Sequence, residues 1–315
     1  MTAPDGAGTP ATSPDRVTLV VNPASGAGRA RRVAPAFLGR LAEHGIRTTV
    51  EVSSSADDLR ARVRRLREDG APVVAVAGGD GTVHLAIQEL AGSATSFALL
   101  PTGTGDDNAR TLGLPLGDPR AAADVVAHGI DREVDLAHVT AADGTQRYFL
   151  GVLSAGFDSF VNERANAMTW PRGKAKYAAA IVGELRVFRP VRYDADIDGR
   201  TVADGAMLVA VGNGRSYGGG MLICPEADVH DGVLDVTWLQ AVGIPTFLRA
   251  FPSVFRGTHV QRGDVATYRG RSIRLSAEGQ LAYADGERVG PLPIDIHALP
   301  AALRVRMPGG ARTLG

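Results

Sequence analysis

The chain has 315 residues, with 34 basic and 34 acidic side chains, so its formal net charge is zero and no global field draws it to nucleic acid. Apolar residues make up 44% and charged residues 22%, enough for a sizeable core in a length that suggests two domains. The single cysteine, Cys224, excludes an intrachain disulfide framework and a multi-cysteine metal site, and is expected to fill a buried gap.

Residues 1–15, MTAPDGAGTPATSPD, lack the basic start and apolar block of a signal peptide and are expected to form a disordered tail. No stretch approaches the ~18 consecutive apolar residues of a membrane span, and a cytoplasmic protein is the simplest expectation. VTLVVN (17–22) predicts a strand ending at a loop. Over 28–43, Val33, Phe37, Leu38 and Leu41 fall at helical spacing, with Gly45 as the stop. TTVEV (48–52) predicts a second strand, and Ser55 caps a helix carrying Leu59, Val63 and Leu66 that ends at Gly70. VVAVA (73–77) is a third strand, followed by a glycine-rich turn and a helix over 83–90. FALL (97–100), a helix around 121–127 and REVDL (132–136) complete the series. This alternation predicts an α/β domain over 16–136, a parallel sheet with helices on both faces.

From about Tyr148 the texture changes. One helical stretch over 173–187 precedes the alternating runs VRYDADI, AMLVAVGN, LDVTWLQ, SIRLSA and QLAYA, several joined by Asp-Gly turns. That pattern predicts a β-rich second domain over 137–302 with antiparallel pairing. LRVRM (303–307) is a last strand within the C-terminal segment 303–315, and it can pair with either domain. Phe247, Leu248, Phe251 and Phe255 predict the buried stripe of a helix, a lipid-tail groove being the sharper alternative. Arg172, Lys174, Lys176, Arg186, Arg189 and Arg192 cluster around the helix of the second domain, as a solvated face or a contact for anionic lipid headgroups. His84 and His230 lack metal-ligand spacing and are expected at the surface or in turns.

Three loops of the first domain carry chemistry. N-P-A-S-G (22–26) follows the first strand, where a small strand-to-helix turn lets backbone N–H groups and the Ser25 hydroxyl approach a phosphate. It is neither a P-loop nor a G-x-G-x-x-G turn. G-G-D-G-T (78–82) follows VVAVA; its glycines open space for a nucleotide, and Asp80 offers a carboxylate to magnesium or a polar network. L-P-T-G-T-G-D-D-N-A-R (100–110) again follows a strand, with Thr104 able to donate to phosphate and Asp107 able to orient water around a metal. Each could be a plain turn, but three at successive strand ends sit where open α/β sheets bind ligands.

Together the three loops resemble the motifs of the diacylglycerol kinase catalytic family, relatives of the bacterial soluble lipid kinases and, further off, of the sphingosine and ceramide kinases. The resemblance runs from residue 17 to about 307, because PEADVHDGVLDV (225–236) and YADGERV (283–289) match as well. It implies an N-terminal nucleotide-binding domain like that of phosphofructokinases and NAD kinases, a C-terminal β-sandwich, and ATP held in a cleft between them. The implied ATP contacts fall on Asn22, Pro23, Ser25, Gly26, Ser53, Gly78, Gly79, Asp80, Gly81, Thr82 and Thr104, with Asp80, Asp107 and Asp135 in a magnesium and water network. Two positions depart from the pattern: Asp106 stands where asparagine is usual and Asn108 where an aromatic residue is usual. A structural magnesium site maps to Asp231, with the backbone carbonyls of Asp228 and Val233. The resemblance also implies that Asp285-Gly286-Glu287 supplies the carboxylate that deprotonates the lipid hydroxyl, with Glu287 favoured over Asp285.

The function implied is an ATP- and magnesium-dependent lipid kinase, with diacylglycerol the leading substrate, met at a membrane surface. A homodimer stays open. The alternatives are a kinase of a soluble acceptor, as in NAD kinases, and a catalytically silent nucleotide-binding regulator. The D-G-E and D-G-V-L segments argue against the first, and retention of Asp80, Asp107, Asp285 and Glu287 against the second.

Overall fold

The computed structural model describes residues 13–157 and 190–309, with Ser159, Arg164, Met168 and Gly183 between them. Most of the expected tail, the helix over 173–187, and Arg172, Lys174, Lys176, Arg186 and Arg189 lie outside the described residues. The chain divides into two units. The first takes the described residues up to Leu136, Val229–Asp231 and the chain from Leu299 onward; the second takes Ala137–Asp228 and Gly232–Ala298.

In the first unit, β1 (Arg16–Val21), β2 (Arg47–Val52), β3 (Val73–Gly78) and β4 (Ser96–Pro101) run parallel in the order β2-β1-β3-β4. Strands β3 and β4 are buried along their whole length, so VVAVAG and SFALLP are continuous runs rather than alternating ones. Five helices follow the strands: α1 (Arg29–Glu43), α2 (Ala56–Glu68), α3 (Asp80–Leu90), α4 (Asp107–Thr111) and α5 (Pro119–His128). Phe37 and Leu41 of α1 and Ala123 and Val126 of α5 pack on Leu19, Ala75 and Leu100. The alternate residues Val20, Val74 and Val76, equally buried, face the other side, where α2 meets β1 and β3. Ser55 caps α2 by accepting from the Asp58 N–H at 3.1 Å, and Asp118 caps α5 ahead of Pro119. β5 (Ile130–Ala141) runs well beyond the expected 132–136.

The second unit is antiparallel. Its strands are β6 (Gln146–Phe149), β7 (Val152–Gly156), β8 (Val191–Ile197), β9 (Arg200–Gly212), β10 (Leu234–Gln240), β11 (Val265–Gly270), β12 (Ser272–Ser276), β13 (Leu281–Ala284), β14 (Glu287–Pro291) and the first part of β15 (Ile294–Met307). The hydrogen-bonded path is β14-β13-β7-β9-β8-β12-β15, and β10 joins β9 to β11. Long β9 pairs with β8 through its first half and with β7 and β10 through its second. Trp238, Tyr193, Phe149 and Leu275 fill the core, the Trp238 and Tyr193 rings meeting edge-on at 6.0 Å. Asp198-Gly199 and Asp285-Gly286 close two hairpins with both residues at positive φ (50° and 85°, 51° and 82°), the type I′ geometry that Asp-Gly favours. Asp231-Gly232 is different: it lies in a loop leading into β10, not between paired strands.

The second part of β15 belongs to the first unit, where Val305 pairs parallel with Phe97 of β4. Arg306, 2% exposed, donates to the Val126 carbonyl at 3.0 Å and to the Asp131 carboxylate at 3.2 Å.

Three expectations about single residues meet the structure here. Cys224 is buried at 1% exposure, and burial pushes its thiol up to about 12. His84 is not at the surface: it is buried on α3, a helix packed on more than one side. The expected aromatic stripe is only partly buried. In α6 (Ile244–Val254), Phe247 packs on Phe157 and Met207, but Leu248 is 53% exposed and Phe255, just past the helix end, is 48% exposed. The sequence there carries two apolar faces, and only the one through Phe247, Ala250 and Val254 turns inward.

Candidate functional site

Parallel pairing in register brings the carboxyl ends of three strands of the first unit side by side: Val21 opposes Ala77, and Gly78 opposes Pro101. The chain leaves β1 for β2 on one side and reaches β3 on the other, so the loops after β1 and β3 flank a topological switch point. The loops are stitched together. The Asn22 amide donates to the Thr82 hydroxyl at 3.1 Å, the Ser25 and Thr102 hydroxyls lie 3.2 Å apart, and the Thr102 N–H donates to the Gly78 carbonyl at 3.0 Å. Asn22 also accepts from the Ala24 N–H at 3.1 Å, which shapes the turn through Pro23.

Glycine is required where the backbones meet. A β-carbon on Gly79 would stand 2.8 Å from the Gly103 Cα, and one on Gly103 would stand 2.7 Å from the Gly79 Cα. At Gly26, with φ of +56°, a β-carbon would reach 2.0 Å from the Thr102 carbonyl oxygen. On Gly78 it would strike the Thr82 side chain. Gly79 then opens α3, an eleven-residue helix whose first residues are Asp80, Gly81 and Thr82, so the positive end of a helix dipole sits at the cradle.

Carboxylates rim this cradle. An Asp80 oxygen accepts from the Asn108 N–H at 2.9 Å, and Asp107, 6% exposed, lies 3.3 Å from Arg110, which also donates to the Gly105 carbonyl. Asp106 adopts a left-handed conformation with φ of +53° and accepts from the Gly103 N–H at 2.8 Å. Burial raises its carboxyl above the ordinary aspartate range, against the pull of that N–H, Arg29 and Arg110. Thr104 is exposed at the loop tip. Ser53 sits at the end of β2, its hydroxyl donating to the Val21 carbonyl at 3.2 Å. Asp135 is 4% exposed and accepts from the Ala301 N–H at 2.8 Å, so it steadies a turn in β15.

Further acids lie later in the chain. Asp285 accepts three backbone N–H bonds, from Leu150 at 3.1 Å, Gly151 at 3.0 Å and Val152 at 3.2 Å. Asn213 holds the same segment through its amide to the Leu150 carbonyl at 2.8 Å. Glu287, two residues on, is exposed, and its side chain makes no hydrogen bond or ion pair among the described residues. Asp231 is exposed, while Asp228 and Val233 are half-buried in the loop before β10. Among the described residues no group of three or more His, Cys, Asp or Glu side chains is placed to hold a metal. Sequence reasoning missed Thr102, Gly103 and Asn213. The T-G-T-G repeat held a signal for the first two, but nothing local marks Asn213 as a partner of residue 150.

Residues 16–139 match the diacylglycerol kinase catalytic domain family, and residues 151–307 match the YegS C-terminal NAD kinase beta sandwich-like domain. A diacylglycerol kinase of Mycobacterium tuberculosis is 42% identical over 93% of this chain and 95% of its own length. A diacylglycerol kinase of Bacillus subtilis is 25% identical over 93% of this chain and 96% of its own. A crystal structure of a diacylglycerol kinase from Bacillus anthracis superposes with a TM-score of 0.70 at 22% identity, covering 93% of this chain and 97% of that one, which shows a shared fold.

Proposed function

Because this chain belongs to the diacylglycerol kinase family, and is therefore a lipid kinase, we propose that it transfers the γ-phosphoryl group of ATP to the hydroxyl of a diacylglycerol, giving phosphatidic acid. The observation that carries this reading is the side-chain-free meeting of Gly79 with Gly103 at the start of α3, a backbone contact that a β-carbon on either residue would break and that holds the loop after β4 beside a helix N-terminus, the kind of place that receives a phosphate. Asn22, Pro23, Ser25, Gly26, Ser53, Gly78, Gly81, Thr82 and Thr104 complete the nucleotide contacts in this reading.

Asp80 and Asp107 are hard oxygen donors of the kind magnesium or its waters prefer, and Asp231 with the carbonyls of Asp228 and Val233 forms a separate structural site. Magnesium, when bound, offsets negative charge between the phosphates. The lipid oxygen bonds to the γ-phosphorus, the bond from that phosphorus to the β–γ bridging oxygen breaks, and ADP leaves. The hydroxyl proton passes to Glu287. Its exposed carboxylate, without a partner among the described residues, supports that role, while the three amides on Asp285 support a structural one. The enzyme meets its substrate from the cytoplasmic side, through transient contact with the membrane surface.

Incubation with labelled ATP, magnesium and a panel of lipids in mixed micelles tests the proposal, the expected result being label in organic-extractable phosphatidic acid. Label in NAD alone, or ATP binding without transfer, overturns it. Glu287→Gln is expected to lose ~10²–10⁴-fold in turnover with ATP affinity and melting point unchanged. Asp285→Asn, which loses the charged acceptor of three amides, is expected to cost about 1–3 kcal/mol of stability, read as a lower melting point. Wild-type turnover in both variants places the base elsewhere.

A further inference from the structure

The second unit carries an apolar stripe that the described residues leave largely uncovered, Phe251 alone in it being partly packed on Phe247. Ile244, Leu248, Phe251 and Phe255 fall at i, i+4, i+7 and i+11, one side of α6 continued past its end. Ile244 is 42% exposed, Leu248 53% and Phe255 48%, three of the six large hydrophobic side chains that stand most exposed among the described residues. Isolated exposed apolar residues are ordinary, but a line of them on a helix marks a contact surface. The inward face of the same helix is already satisfied. Phe247, Ala250 and Val254 close over a cavity of about 40 Å³, and ring contacts step outward from Phe157 through Phe247 and Phe251 to Phe255. The outer stripe is thus braced from the core, not a frayed segment.

Charge identifies the occupant. From Val236 to Gly263 the sequence holds no aspartate or glutamate, although acids equal bases over the whole chain. The same stretch carries Arg249, Arg256 and Arg262. Arg262 is paired with Asp264 at 2.7 Å, but Arg249 and Arg256, both exposed, have no acidic partner among the described residues. A helix with exposed Leu, Ile and Phe flanked by unpaired arginines and free of acids matches the interface of an anionic bilayer, where apolar side chains enter the acyl boundary and guanidinium groups meet phosphate.

We propose that α6 is the element by which this protein docks on an anionic lipid bilayer, with Ile244, Leu248 and Phe255 inserted and Arg249 and Arg256 against the headgroups. This rests on the lipid-kinase reading only for its purpose, since a kinase of a membrane lipid must rest on the membrane.

The test is co-sedimentation of the full chain with vesicles of phosphatidylcholine alone or mixed with phosphatidylglycerol. Wild type is expected to partition onto the mixed vesicles. Leu248→Ser with Phe255→Ser is expected to weaken that partition about tenfold or more, with an unchanged melting point because both side chains are half exposed. Arg249→Glu with Arg256→Glu is expected to lose about tenfold or more on mixed vesicles and little on phosphatidylcholine. Wild type that ignores the mixed vesicles, or a serine variant that partitions like wild type, overturns the proposal. So does a wild-type dimer that the serine variant dissociates, since a second copy then covers the stripe. Activity on diacylglycerol in detergent micelles separates the two readings: vesicle binding through α6 without micellar turnover supports the docking element and sinks the proposed reaction. Micellar turnover kept in a serine variant that no longer binds vesicles supports both.

Discussion

Asp106 shows what a single carboxylate does inside the cradle proposed for phosphate. It accepts from the Gly103 N–H and occupies a left-handed turn, two tasks asparagine performs equally well. Asparagine would not bring negative charge to the place where polyphosphate is proposed to bind. Burial raises the Asp106 carboxyl, so it gains its charge later in a rising pH titration than an exposed aspartate does. Asp106→Asn is therefore expected to keep the loop and lower the KM for ATP. One charge about 4 Å away in a solvated site is worth about 1 kcal/mol, or about fivefold. The gain should be smaller at acid pH, where Asp106 is already neutral. Steady-state KM for ATP across pH in the two proteins checks this, and equal KM values at all pH would show that the carboxylate faces away from the nucleotide.

At the scale of elements, α2 and α3 are joined through one buried acid. Glu89, 5% exposed, receives Arg60 at 2.8 Å and Arg64 at 2.8 Å, and Arg67 donates to its carbonyl. Burial alone would raise its carboxyl, but the two guanidinium groups outweigh burial and hold it below the ordinary glutamate value. A lowered folded-state value gives stability that is complete above the unfolded value, about 4.3, and is lost as pH falls through the folded one. Glu89→Gln should lower the melting point at neutral pH and flatten its decline in acid; melting curves from neutral to strongly acid pH distinguish this from an inert surface pair. Elements of this kind were legible where one local signal decided them: Ser55 before α2, Asp198-Gly199 and Asp285-Gly286 at type I′ turns, the buried runs of β3 and β4. The candidate site was legible as three loops that the structure brings together, because glycine and small polar residues cluster at strand ends. What the sequence hid was non-local. The hold of Asp285 on residues 150–152 spans more than a hundred positions, and two apolar faces in 244–255 cannot be ranked without knowing which one the sheet covers. His84 was misplaced for the same reason, since a helix buried on several sides has no polar face to expose.

For the whole molecule, ligand binding and folding are coupled. If ATP binds only the folded cradle, a hundredfold excess over its Kd adds about 2.7 kcal/mol, which thermal shift reads as a higher melting point. Magnesium without nucleotide should add a smaller increment through the loop at Asp231, and Asp231→Ala should abolish that increment while leaving the response to ATP. An unchanged magnesium response in the variant leaves Asp231 as a turn residue. The placement of Val305 beside Phe97, with Arg306 buried against Val126 and Asp131, carries a further consequence for synthesis. A nascent chain displays β4 as an unpaired edge, and keeps Asp131 without its guanidinium, until the whole second unit has emerged from the ribosome. The first unit is thus completed last, although its first strand is made first, and a chain that stops before residue 303 leaves that edge open to other strands.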